Sequence, residues 1–223
     1  MIQYFLAYRD SMTAFDLVFL FLGYAIMVLL ILPFHEFAHA FVAHLCGDDT
    51  AKWHGRMTLN PFVHLDPFGT VMLVLCGFGY AKPVPVVSRN FRHFKRDMIL
   101  VALAGPLSNL LMAVLAVGLF CLSVPLYSIN PPLFVALKLV LIDIIMSINV
   151  TLAVFNLLPI PPLDGSRLWS TLLPGRWAYN LERYSQYITW GIFALLLTGV
   201  LDGPLSFLTG LVETGIFKLF GLA

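Results

Sequence analysis

AFDLVFLFLGYAIMVLLILPFHEFAHAFVAHLC, residues 14–46, decides how this chain is read. It is one apolar stretch, broken by Pro33 and by the run His35-Glu36-Phe37-Ala38-His39. About 20 apolar residues cross a bilayer. The stretch is longer, so it fits either one tilted, kinked helix or a span followed by a second short helix. Pro33 lacks a backbone N–H, which predicts a kink just before His35. Ionisable side chains are expensive in hydrocarbon, so a His-Glu-His cluster there marks a functional site by default. Histidines at i and i+4 share one helix face, and the glutamate between them can act on a metal-bound water. The plain alternative is a polar patch lining a helix interface, but without a ligand such a patch costs several kcal/mol.

Working outward, the rest of the chain is equally apolar. Of 223 residues, 60% are hydrophobic and 11% charged, and the mean hydropathy is +0.89. Soluble domains carry roughly 25% charged residues, so the composition predicts an all-α polytopic membrane protein with about 4–6 transmembrane segments. The net charge of +1 offers no basic field for nucleic acid. Cys46, Cys76 and Cys121 are odd in number and widely spaced, and read as small buried hydrophobes rather than a disulfide or metal site. Residues 1–13 are mildly amphipathic and lack the basic start and small-residue cleavage site of a signal peptide. Gly47-Asp48-Asp49 ends the first helix. Residues 67–80, PFGTVMLVLCGFGY, are apolar but too short to span, which predicts a re-entrant loop or a β-like strand pair packed against protein. With its two glycines, Gly77 and Gly79, this segment could offer an edge to an unwound peptide. Further spans are expected at about 98–122, 134–158 and 186–201, with a weaker segment at 204–222. The expected organisation is one membrane-embedded domain, with a core at about 14–170 and C-terminal helices at about 186–222.

Charge fixes an orientation. Lys82, Arg89, Arg92, Lys95 and Arg96 form a basic loop, and juxtamembrane Lys/Arg density marks the cytoplasmic side. The span at 98–122 then runs outward and the one at 134–158 runs back. Asp164, in Pro159-Ile-Pro161-Pro162-Leu-Asp164-Gly165, falls at the cytoplasmic end of that return, and if residues 67–80 are re-entrant His35 and His39 lie in the cytoplasmic half of the first span, at a similar depth. Catalytic zinc keeps three protein ligands and an open position. His35 and His39 supply two, and Asp164 is the best third; alone it would read as a turn or helix-capping residue. Glu36 fits a general base. Asn156, near the end of the same span, is a candidate donor to an oxyanion, or else an interhelical hydrogen-bonding residue.

These residues resemble the site-2 proteases, intramembrane zinc metalloproteases, in their short prokaryotic form without PDZ or CBS domains. The first family motif, HExxH, reads His35-Glu36-Phe37-Ala38-His39. The second reads Asn156-Leu-Leu-Pro159-Ile-Pro-Pro-Leu163-Asp164-Gly165. Asn60-Pro-Phe-Val-His64-Leu-Asp-Pro67-Phe-Gly69, Gly79-Tyr-Ala-Lys-Pro-Val-Pro85 and Ala104-Gly-Pro-Leu-Ser-Asn109 also resemble the short subgroup. The likeness covers roughly residues 20–170. It implies one Zn2+ per chain on His35, His39 and Asp164, with Glu36 as general base. It implies that Asn156 binds substrate or oxyanion. The implied substrates are transmembrane helices of membrane proteins, cut inside the bilayer of a prokaryotic inner membrane. Only one span precedes the basic loop, where longer relatives have another.

Other polar residues carry weaker signals. His64, Asn60 and Asn109 are candidates for contact with substrate or with the metal ligands, against plain readings as a turn histidine, a loop residue and an interhelical residue. His44 lies about 180° round the helix from His35 and is excluded as a ligand. Lys138 and Asp143 fall within a span, Asp143 with no obvious partner. Rival functions are a membrane transporter or channel using the His and Asp side chains, a protease-like scaffold, and a zinc enzyme acting on lipids. Nothing in the sequence indicates an oligomeric state.

Overall fold

The computed structural model describes residues 14–69, 71 and 81–222, and every regular element among them is helical. Residues 1–13 and Cys76 lie outside the described residues. So do 70 and 72–80, most of the segment with the expected re-entrant or β-like character; 67–69 and 71 are helical.

Helix α1 (Ala14–Ile26) continues through a π-helical turn at Met27–Ile31 into α2 (Leu32–Leu45). The apolar stretch is thus one continuous helix, and the disturbance expected before His35 is a widened turn. Pro33 gives it a cause: the residue has no N–H to donate, and its ring crowds the turn before it. Gly47, at φ 107°, closes α2 with a Schellman motif. Its N–H reaches the His44 carbonyl at 3.0 Å, and the Asp48 N–H reaches that of Ala43 at 2.9 Å.

Short helices α3 (Thr50–Trp53) and α4 (Pro61–His64) lead to a non-helical strap at residues 81–87. Helix α5 (Phe94–Ser123) has 30 residues and is about 45 Å long. After α6 (Leu126–Ile129), α7 (Pro131–Lys138) passes through a π-helical stretch, Leu139–Met146, into α8 (Ser147–Asn156). The chain ends with α9 (Asp164–Leu172), α10 (Gly175–Arg183), α11 (Ser185–Leu197) and α12 (Asp202–Leu219). Three described helices are long and apolar enough to cross a membrane: Phe21–Leu45, Phe94–Ser123 and Pro131–Asn156. The span read at 186–201 is here a helix of 13 residues, about 20 Å long against a hydrocarbon core of about 30 Å. It ends at a turn with Gly199 at φ 72°.

Helix α5 is the axis of the fold, with α2 against one side and α8 and α9 against others. Its Ala113, Ala116 and Val117 meet Ile142, Met146, Val150 and Ile216 in a buried cluster. Lipid is as apolar as these side chains, so association depends on close packing, which small residues permit. Asp143 does have a partner, which the sequence did not suggest. Lys138 Nζ lies 3.0 Å from its carboxylate, five residues away, a spacing that the π-helical stretch between them repeats.

Asp48 ties the end of α2 to the basic loop. It is fully buried and accepts from the Thr50 amide and hydroxyl, from Asn90 Nδ2 at 2.8 Å and from the Val87 N–H at 2.7 Å. Burial alone would raise its pKa, but these donors outweigh it and hold the carboxyl below its ordinary value. A depressed carboxylate stabilises the fold above its unfolded-state pKa of about 3.9 and loses that contribution as pH falls below it. Asp48→Asn should therefore cost roughly 1–3 kcal/mol at pH 7, and the gap in melting temperature from wild type should close as the pH is lowered below about 4. A gap independent of pH would contradict this.

Candidate metal centre

His35 and His39 stand one turn apart on α2, with ring centroids 4.7 Å apart in an edge-on arrangement. Asp164, the first residue of α9, meets them from 129 residues further along the chain than His35. His35 Nε2, His39 Nε2 and Asp164 Oδ2 form a triangle with every side 3.1 Å. Both histidines are buried and Asp164 is half-buried. Zinc–ligand bonds of about 2.0–2.2 Å at tetrahedral angles put neighbouring ligand atoms roughly 3.3–3.5 Å apart. The triangle is within a few tenths of an ångström of that spacing. Two imidazoles and one carboxylate are also a known donor set for catalytic zinc, so the residues fit the ion.

The surroundings favour this role. His39 Nδ1–H donates to the Val101 carbonyl at 2.7 Å, which leaves the Nε2 lone pair for the site. His35 Nδ1 is buried with no hydrogen-bond partner among the described residues. Burial would raise the pKa of Asp164, but the hydrogen bonds and charges of His35 and His39 hold it well below the carboxylate range. It is the anion that a metal ligand must be.

Two glycines make the convergence possible. A Cβ on Gly105 of α5 would lie 2.3 Å from His39 Nε2 and 2.4 Å from His35 Cε1, so α5 can cross the histidine pair only without a side chain there. A Cβ on Gly165 would lie 2.3 Å from the Leu158 carbonyl oxygen and 2.4 Å from that of Leu157. The end of α8, with the half-buried Asn156, is thereby folded against the first turn of α9 beside Asp164. The sequence displays both glycines inside quoted motifs, but what each touches is a tertiary fact.

Glu36 is half-buried, and its Oε2 accepts the Val84 N–H at 3.1 Å. His64 is buried and is not one of the three grouped residues: its Nε2 lies 2.8 Å from the Thr58 carbonyl, and its own carbonyl accepts from the Lys82 N–H at 2.8 Å. Asn60 caps α4, its Oδ1 accepting from the Phe62 N–H at 3.1 Å. Asn109 is fully buried one turn beyond Gly105, and neither of its amide atoms has a hydrogen-bond partner among the described residues. His44 pairs with Asp49.

Residues 124–199 match a family model described as peptidase family M50. A Bacillus subtilis protein named "Putative zinc metalloprotease YwhC" is 44% identical over 154 residues, covering 67% of this chain and 69% of its own length. Two mycobacterial proteins named "Putative zinc metalloprotease Rip2" are also similar. The one from Mycolicibacterium smegmatis is 33% identical, covering 61% of this chain and 52% of its own length. The one from Mycobacterium tuberculosis H37Rv is 31% identical, covering 76% of this chain and 64% of its own. This chain therefore spans only about half to two thirds of the mycobacterial relatives. No solved structure matches it.

The contact at Gly105 gives a test that does not need a substrate. Gly105→Ala should force the histidines apart and weaken zinc binding about 10–100-fold, read as metal content after dialysis against a graded chelator. Wild-type retention of zinc by this variant would contradict the packing argument.

Proposed function

The chain belongs to peptidase family M50 and is a zinc metalloprotease of the membrane; on that premise we propose that it is an intramembrane endopeptidase. Its substrates are transmembrane segments of other membrane proteins, in which it hydrolyses peptide bonds within the bilayer. The observation that carries this reading is the depth of the histidines. His39 lies six residues, about 9 Å of helix rise, inside the end of an apolar helix of 25 residues, Phe21–Leu45.

In this reading His35, His39 and Asp164 hold one zinc ion per chain. Bound zinc supplies a Lewis acid that brings the pKa of a coordinated water near neutrality and polarises a carbonyl. Glu36 takes the proton from the attacking water and delivers it to the leaving amine. Asn156 donates its side-chain amide to the substrate carbonyl as negative charge develops there. The scissile segment unwinds first, because a carbonyl inside a helix is covered by its own hydrogen bond. Asn109, one turn along α5 from Gly105, and His64 and Asn60 are the further candidates for contact with substrate or with the metal ligands; the unpartnered buried amide of Asn109 supports this for Asn109. In this reading the site faces the cytoplasmic half of a prokaryotic inner membrane, an orientation that the basic loop at 82–96 supports, and belongs to one membrane-embedded peptidase domain.

Cleavage of transmembrane peptides by the protein in liposomes tests the proposal. Glu36→Gln should lower the rate by about 10²–10⁴-fold while zinc stays bound, and His35→Ala or Asp164→Ala should lose both zinc and activity. Cleavage that survives Glu36→Gln would contradict the assignment. Metal flux into the liposomes that survives it, without cleavage, would support a transporter instead.

A further inference from the structure

Lys82-Pro83-Val84-Pro85 is a motif to which the proposed chemistry assigns no part. Lys82 and Val84 each precede a proline, which confines them to extended backbone, and the two prolines contribute no N–H. The Val84 N–H is therefore the only amide proton from residue 83 to residue 85, and it donates to Glu36 Oε2 at 3.1 Å, across 48 residues of sequence.

The strap is fixed on both sides of that contact. Arg56 is buried; its Nη1 donates to the Val63 carbonyl at 2.6 Å, and its Nη2 donates to the carbonyls of Lys82 and, at 3.3 Å, Pro83. The Lys82 N–H donates to the His64 carbonyl at 2.8 Å. Downstream, the Val87 N–H donates to the buried Asp48 carboxylate at 2.7 Å. Between these anchors the Val84 side chain packs in a buried cluster with Ala40, the neighbour of His39, and Ala51. Burying a guanidinium and a carboxylate is costly unless they find partners, and here both spend hydrogen bonds on one seven-residue strap.

We propose that Val84 is a positioning residue for Glu36. Its backbone N–H holds one carboxylate oxygen, Oε2, in place and leaves Oε1 to accept the proton of the attacking water. The inference rests on the reading of Glu36 as general base. A base that is free to turn misses its proton, and a misplacement of about 1 Å can cost 100-fold in rate.

The test uses the full-length, zinc-loaded protein in liposomes, with the Pro83–Val84 amide replaced by an ester through the α-hydroxy analogue of valine. This deletes the N–H and keeps the side chain. The kcat for a transmembrane peptide should fall about tenfold or more, while KM and zinc content stay at wild-type values; a merely structural loosening would move KM or zinc as well. Hydrogen exchange over residues 82–87 gives a second readout that needs no cleavage. Protection of the Val84 amide should be lost in Glu36→Ala and kept in Glu36→Gln, whose amide oxygen still accepts. An ester variant with wild-type kcat, or a Val84 amide equally protected in Glu36→Ala, would overturn the proposal. If the wild-type protein cleaves nothing, it is the endopeptidase reading that fails, and the exchange result still decides whether Val84 holds Glu36.

Discussion

Three polar atoms from two helices must come within 3.1 Å of one another in an apolar setting, and most of the fold follows from that demand. Two imidazoles and a carboxylate are costly to bury unless each has a partner. Here they are one another's partners, in the spacing of three zinc ligands. The neighbouring helix has to pass within contact distance of both rings, so α5 carries Gly105 at the crossing and offers the Val101 carbonyl to His39. The returning chain has to turn sharply enough to present Asp164, so Gly165 sits where the carbonyls of Leu157 and Leu158 press in.

A second layer of polar contacts holds the edge of this arrangement. Asp48, Arg56 and His64 are all buried, yet none belongs to the His35–His39–Asp164 triangle. Each instead bonds to the backbone of the segment between Lys82 and Val87. The alanines and Val84 that pack between this segment and α2 add little apolar area by themselves. The charged anchors give the strap a defined place where the hydrophobic effect alone would leave it free to slide. The same division holds elsewhere. Small residues of α5 bring helices close, and polar groups fix where along the helix they meet.

Residue types and spacing carried much of this in the sequence. The i, i+4 histidines and the glutamate beside them needed only helix periodicity, and the structure brings Asp164 to them as its place after an apolar span suggested. The long helices were legible for the same reason: Phe94–Ser123 and Pro131–Asn156 are nearly continuous apolar runs. What escaped depended on contacts or on backbone. Gly105 looks like any membrane-helix glycine until the histidines are placed against it. The Val84 N–H has no side-chain signature at all. Lys138 and Asp143 are five apart, a pairing that α-helical spacing does not suggest and a π-helical stretch allows. The segment at 186–201 is apolar enough to suggest a span, yet its helix stops after 13 residues, because Gly199 turns the chain.

Zinc-edge X-ray absorption on the purified protein tests the central claim most directly, because it reads the ligands without a substrate. The account predicts one zinc per chain with nitrogen and oxygen scatterers at about 2.0–2.2 Å, the outer-shell signature of two imidazoles, and no sulfur. A sulfur shell at about 2.3 Å, fewer than two imidazoles, or a protein that takes up no zinc would contradict it.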